Sequence, residues 1–223
     1  QPEAGRLAIT RNWLYNGNLI HVSGNVTKET TRTLSIYNSK DFFFHTFINR
    51  LKAKGIEAKT TAFADCPESD SLSVVTPLFT LQRPIEEVLK QMMKESDNLC
   101  AESMFYHMAM KHTQQKRVSD NDGSDAINHF IKEQLGLNPD YYNIVDGSGV
   151  SLYNYISSRL LLEYLKYAYY HADIFQPFYE SLPIAGVDGT LEHRMKKSKA
   201  YNNVHAKTGT VTGVSALAGY AKA

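Results

Sequence analysis

The chain has 223 residues, of which 43% are hydrophobic and 21% charged, with 24 Lys and Arg set against 23 Asp and Glu. A net charge of +1 argues against a nucleic-acid binder held by phosphate contacts and against long-range steering of acidic partners. No apolar run approaches the ~18 residues of a membrane span, and two cysteines, Cys66 and Cys100, are too few for a disulfide framework and leave the redox compartment open.

No charged-then-apolar leader opens the chain, and Gly5 to Ile9 already reads as strand, so the expectation is that the natural N-terminus lies upstream. Residues 1 to about 80 are rich in Thr, Ser, Asn and Val. Leu19 to Val26 alternates, and Gly17-Asn18 and Ser23-Gly24-Asn25 are turn signals. Phe44, Phe47, Ile48 and Leu51 fall at helical spacing, with Gly55 as the C-cap. Ile56 to Phe63 then reads as another strand. From about residue 81 the pattern turns helical. Pro84 suits the first helical position, Glu86 and Glu87 the first turn, and Ile85, Val88, Leu89, Met92 and Met93 form one face. A break at Glu95 to Asn98 precedes a second helix carrying Ala101, Phe105, Met108 and Ala109. A third is expected over Asp125 to Leu135, and a fourth after Ser157-Ser158 with Leu161, Tyr164, Leu165 and Ala168 on one stripe. Asn203 to Thr208 and Val211 to Tyr220 read as a terminal hairpin turning at Gly209 or Gly213. The order predicts an α+β fold, helices packed on an antiparallel sheet. The division is expected near residue 80, into 1–80 and 81–223.

Two tripeptides carry the chemistry: Ser96-Asp97-Asn98 between two helices, and Lys207-Thr208-Gly209 on the terminal strand. Either alone is weak, since Ser, Asp and Asn are all N-cap residues and a strand lysine usually faces water. Together, in this order and setting, they resemble the active-site serine penicillin-recognising enzymes, whose motifs are Ser-x-x-Lys, Ser-x-Asn and Lys-Thr-Gly. Four further stretches narrow the resemblance to the D-alanyl-D-alanine carboxypeptidase/endopeptidase group of the penicillin-binding protein 4 type. They are Glu95 to Glu102, Asp146 to Ser151, Pro183 to Leu191 with Arg194, and Ala206 to Thr210. Val214 to Tyr220 is similar as well. The resemblance covers residue 80 to the end and is looser before it.

One departure is plain: no serine in the chain has a lysine three positions on. In class A β-lactamases the nucleophile lies some sixty residues ahead of Ser-Asp-Asn, as the resemblance implies, and 95 residues precede Ser96 here without it. The group resembled carries domains inserted between its first two motifs. The resemblance therefore implies a β-lactamase/transpeptidase-like domain over 81–223, lacking the Ser-x-x-Lys segment and the final sheet and helix, and part of an inserted α/β accessory domain over 1–80. A β-lactamase would also need Glu-x-x-Leu-Asn, and Glu133 to Asn138 is one residue too long.

The implied chemistry is acyl transfer at a terminal peptide bond. Ser96 would relay a proton to the departing amine with Lys207 stabilising its oxygen. Asn98, both donor and acceptor, would hold the substrate backbone. Lys207, Thr208 and Thr210 would take the free carboxylate, Gly209 would let the substrate approach, and the Thr210 N–H would serve the oxyanion. Lys207 and Thr208 should point to opposite faces of the strand, so one site can use both only by wrapping an edge. Asp97 reads as structural, tying the loop to nearby amides. Asp146 to Gly149 reads as a turn beneath the site, Asp188 as a loop former with Arg194 as its candidate partner, Cys100 as a small buried side chain, and Lys196 to Lys199 as a solvated helix end. The eight histidines show no metal spacing, and no cofactor is expected. The resemblance further implies peptidoglycan stem peptides as substrates, β-lactams as ligands of the full-length protein, and a periplasmic or extracytoplasmic bacterial location. Residues 1–223 alone are expected to be inactive. A catalytically inactive cell-wall peptide-binding module and a related β-lactamase or esterase are the alternatives.

Overall fold

The computed structural model describes residues 7–26, 28–59, 62 and 79–222. The chain divides into two compact units, Gln1–Thr76 and Pro77–Ala223. Cys66 and Thr27 lie outside the described residues, as do Thr60, Thr61 and Phe63 of the strand expected over Ile56 to Phe63, of which 56–59 are irregular.

In the first unit β1 (Ala8–Arg11) pairs antiparallel with β2 (Ile20–Ser23), in the register Ala8↔Ser23 to Arg11↔Ile20. A helix α1 spans Ser39–Ala53. Asn38 caps it by accepting from the Asp41 N–H at 3.1 Å, and Gly55, with φ +77°, follows the Lys54 C-cap. Polar clamps hold this unit. Arg11 donates from Nε to the Ser35 carbonyl at 2.6 Å and from Nη1 to the Gly17 carbonyl at 2.9 Å. Asn18 brackets the Tyr37 peptide, accepting from its N–H at 2.8 Å and donating to its carbonyl at 3.1 Å. None of the described residues 7–59 is buried.

The second unit is helices packed on a hairpin, the expected α+β class. Its helices are α2 (Ile85–Lys94), α3 (Asn98–Thr113), α4 (Asp120–Glu133), α5 (Ser158–Tyr170) and α6 (Ala172–Ser181), followed by β3 (Val204–Val211) and β4 (Val214–Ala221). The α2 helix starts one residue after Pro84, which caps it. The α4 helix begins five residues earlier than its apolar spacing suggested, because Ser119 and Asp122 close a reciprocal capping box. The α6 helix was not anticipated, since it carries Pro177 inside a ten-residue span. The hairpin turns at Gly213, not Gly209, which lies within β3. Lys196, Lys197 and Lys199 are exposed, but in turns and not on a helix.

The core of this unit contains Phe105, Ala109, Ile131, Leu160, Leu182, Ala185 and Leu191. Phe105 sits where α3, α4 and the loop after α4 meet. A Cβ on Gly147 would stand 2.4 Å from the Ala101 carbonyl and 2.7 Å from the Phe105 Cβ, so only glycine allows that approach. The hairpin is fastened to the helices by Tyr220, whose hydroxyl donates to the Leu165 carbonyl of α5 at 2.7 Å and whose ring meets Phe175 and Tyr179 of α6. On the other edge of β3, the Ala185 N–H donates to Val204 and the Ala206 N–H to Pro183, both at 2.9 Å. Even-numbered residues of β3 therefore turn their backbone groups away from β4, and beyond Ala206 that edge has no backbone partner among the described residues.

Candidate active site

Ser96 lies between α2 and α3 with φ +55°, a left-handed conformation that costs a non-glycine residue about 1 kcal/mol. The loop is held from its next residue. Asp97 is the N-cap of α3, accepting from the Cys100 N–H at 3.0 Å and from Gln91 Nε2 at 3.2 Å. Those hydrogen bonds, the Cys100 amide first, hold its carboxyl below the usual range. The tripeptide is thus a helix cap, through Asp97, while Ser96 is left free to point elsewhere.

It points to Lys207. The Lys207 ammonium donates to Ser96 Oγ at 2.8 Å across 111 residues of chain, and to the Thr208 carbonyl at 2.6 Å. The stem of Lys207 runs along a cavity of about 240 Å³ walled by Met93 of α2, Leu161, Tyr164 and Leu165 of α5, and Phe178 of α6. Removal of water by these walls lowers the Lys207 pKa from its ordinary value, and burial pushes the Tyr164 hydroxyl up to about 12. The expected difficulty of alternation is resolved at the strand edge. Lys207 curls to bring its charge to the Thr208 carbonyl on the unpaired edge, while the Thr208 hydroxyl donates to Thr190 Oγ1 at 2.8 Å. The Thr210 backbone lies on the same edge by strand parity, and Gly209 and Thr210 are exposed. Asn98 is exposed at the start of α3, with no side-chain hydrogen bond among the described residues.

The structure thus brings Ser96, Lys207 and Thr208 together. Asn98 stands two residues on, at the head of α3, and Gly209 and Thr210 continue the open edge. It also assigns parts that the sequence reading missed. Lys94, at the end of α2, donates to both carboxylate oxygens of Asp188, at 2.9 and 2.7 Å, and to the Leu182 carbonyl at 2.6 Å. Lys94, not Arg194, is therefore the partner of Asp188. Asp188 also accepts from the Ile184 N–H at 2.8 Å, and Gly189 lies so near Lys94 that a Cβ would stand 2.8 Å from its carbonyl. This clamp joins the Ser96 loop to the turn presenting Thr190. Glu102, one helical turn beyond Asn98, accepts from the Gly147 and Ser148 N–H groups at 3.1 Å each. Asp146 accepts from Gly149 at 2.6 Å and Ser151 at 2.7 Å. The turn at 146–149 is therefore a scaffold, as expected. Thr190, Asp188 and Glu102 fall in the stretches quoted above, but nothing in sequence spacing marks Lys94. Cys100 is half-buried, and burial pushes its thiol up. Among the described residues no three metal-ligating side chains gather, and no helix is long and apolar enough to cross a membrane.

Residues 8–223 match the D-Ala-D-Ala carboxypeptidase 3 (S13) family. The chain is 31% identical over 193 residues to penicillin-sensitive carboxypeptidase A of Dictyostelium discoideum, covering 84% of this chain and 35% of that one. It is 35% identical over 142 residues to the D-alanyl-D-alanine carboxypeptidase DacB of Haemophilus influenzae, covering 63% of this chain and 29% of that one. The crystal structure of penicillin binding protein 4 from Haemophilus influenzae, complexed with a β-lactam, superposes with a TM-score of 0.71 at 27% identity. That match covers 97% of this chain and 48% of the other. The chain spans about a third of the length of these two curated relatives.

Proposed function

The chain belongs to the D-Ala-D-Ala carboxypeptidase 3 (S13) family, and we propose that it supplies the second and third motifs of a serine-type D-Ala-D-Ala carboxypeptidase/endopeptidase. The substrates on this reading are peptidoglycan stem peptides, and the location is periplasmic or extracytoplasmic. The observation that carries it is the 2.8 Å contact between Lys207 Nζ and Ser96 Oγ.

In the proposed reaction a serine hydroxyl attacks the penultimate carbonyl, a tetrahedral oxyanion forms, and the terminal D-Ala leaves as its amine. Ser96 Oγ carries the proton to that amine. The ammonium of Lys207 stabilises the Ser96 oxygen as the proton departs, and its lowered pKa weakens its hold on its own proton. The substrate lies along the open edge of β3, as an added strand would. There the Thr210 N–H donates to the oxyanion, a contact typically worth ~3 kcal/mol, and Gly209 leaves room for the backbone. Lys207, with Thr208 and Thr210, takes the terminal carboxylate, which distinguishes a chain end from a mid-chain bond. Asn98 positions the substrate amide. The chemistry needs no metal or organic cofactor. The attacking serine and its N–H, the second oxyanion donor, are not supplied by any Ser-x-x-Lys in these residues. The alternative reading is a peptide-binding module without turnover. The division into an inserted accessory domain near residue 80 and a transpeptidase-like domain after it belongs to the same proposal.

The test is binding by NMR titration of an N-acylated peptide ending in D-Ala-D-Ala. Binding is expected to weaken at least ten-fold for the C-terminal amide of the same peptide and for Lys207→Ala. Equal binding of acid and amide, or an unaffected Lys207→Ala, overturns the site. Labelled penicillin is expected not to attach covalently to the 223 residues, and covalent labelling would show a nucleophile this reading has missed.

A further inference from the structure

A second concave surface lies outside the candidate active site, beside the 3-10 turn at Pro139–Tyr141. It is a depression of about 630 Å³, and four tyrosines, Tyr141, Tyr142, Tyr153 and Tyr155, form most of its lining. The remaining lining residues are polar, Asp140, Asn143 and Ser157. No aliphatic side chain lines it. Leu152 and Ile156 alternate with Tyr153 and Tyr155 along the same segment and do not enter the lining. The backbone beneath is pinned. Asn143 and Tyr155 exchange both backbone hydrogen bonds, at 2.8 and 2.7 Å, and Asn143 Nδ2 donates to the Tyr153 carbonyl at 2.8 Å. Asn154, between the two tyrosines, is tied inward, accepting from the Val145 N–H and donating to Asp146, both at 2.9 Å. The rings of Tyr153 and Tyr155 are held outward on one face as a consequence. Tyr141, Tyr153 and Tyr155 are 69%, 79% and 67% exposed. Their rings stack on no other ring and their hydroxyls make no hydrogen bond among the described residues.

We propose that this depression is a saccharide-binding subsite for a short β-linked oligosaccharide. Pyranose rings with equatorial substituents offer flat C–H faces to aromatic rings and hydroxyls to a polar rim, which is the combination present. The volume falls in the ~300–1,000 Å³ range of ligand sites. Tyrosine supplies broad contact at little cost in ordering. A protein or lipid groove would show aliphatic walls, and a cation cage would close around its charge, whereas this surface is open. The saccharide class rests on the lining. That the glycan is the amino-sugar strand of the cell wall rests on the function proposed above.

The test is an NMR titration of the protein with triacetylchitotriose and with cellotriose. Shifts confined to residues 140–157 are expected with either sugar, with binding weakened at least ten-fold by Tyr153→Ala and by Tyr155→Ala and largely retained by Tyr153→Phe. Tyr153→Ala should leave the melting curve and the D-Ala-D-Ala peptide titration unchanged. No shifts with either sugar, or shifts that both alanine variants preserve, overturn the proposal. So does self-association that Tyr153→Ala abolishes in the absence of sugar binding. Loss of the sugar response with peptide binding intact breaks this subsite alone. The reverse breaks the catalytic reading alone.

Discussion

Residues 7–59 and residues 79–222 solve the problem of holding a chain together in different ways. The first region has no buried residue among those described, and is held by Arg11 and Asn18 bonding to loop backbone. Phe42, Phe43 and Phe47 of α1 stay exposed. The second region buries Phe105, Ile131, Leu160, Leu182 and Leu191, and then departs from apolar packing at the places where Ser96, Lys207 and Asp188 sit. Polar residues in the first region bond where water competes for every contact. In the second, they are held against apolar walls that make each pairing matter more. A site needing a lysine with a weakened hold on its proton requires those walls.

The same substitution made in both regions tests the contrast most severely. Gly147→Ala is expected to cost about 3 kcal/mol, because its methyl meets the Ala101 carbonyl and Phe105. Gly17→Ala has nothing within 4 Å of its new methyl and should change stability by less than about 0.5 kcal/mol. Urea melts of the two variants check both, and equal effects would erase the distinction.

The second expectation concerns the cost of the site. Lys207 holds its charge against apolar walls, so its folded-state pKa lies below the unfolded value. That charge costs stability at neutral pH, a cost that fades only as pH rises through the folded value toward 10.5. Lys207→Met should therefore raise the stability of the second region by about 1 kcal/mol, a figure kept small because the lysine is only half-buried, and Tm by about 3 °C. The same variant should abolish the D-Ala-D-Ala response. A lower Tm by calorimetry would show the lysine to be structural.

The smallest effect expected is one of acid. His205 of β3 stacks on Tyr179 at 4.1 Å and has a buried Nδ1 with no hydrogen-bond partner. Burial, chiefly, lowers its pKa below 6.5, opposed by a hydrogen bond to the Tyr179 backbone and by Asp188, with Lys94 and Lys222 adding to the lowering. Its contribution is complete above pH 6.5 and is lost as pH falls through the lowered value. His21 and His45 of the first region are exposed. His205→Gln should flatten the fall in Tm between pH 7 and 5 by about 2 °C, and an unchanged slope would place the acid sensitivity elsewhere.

How much of this was legible can be read element by element. The faces of α2, α3 and α5, the Gly55 terminus of α1 and the terminal hairpin follow from periodicity and turn residues, which act within a few positions. Helix α4 was misplaced at its start because its opening turn is polar and its signal is the Ser119 capping box. Helix α6 was hidden by Pro177, which the packing of Phe175, Phe178 and Tyr179 against Tyr220 outweighs.

The sequence by itself determined the motifs, the residue types able to do the chemistry, and most of the local elements, because each depends on neighbours along the chain. Only the tertiary structure decided that Lys207 meets Ser96 across 111 residues, that Lys94 takes Asp188, and that Thr190 meets Thr208. No local propensity encodes such pairs. They follow from which helix faces bury one another, and from where the edge of β3 is left open once they have done so.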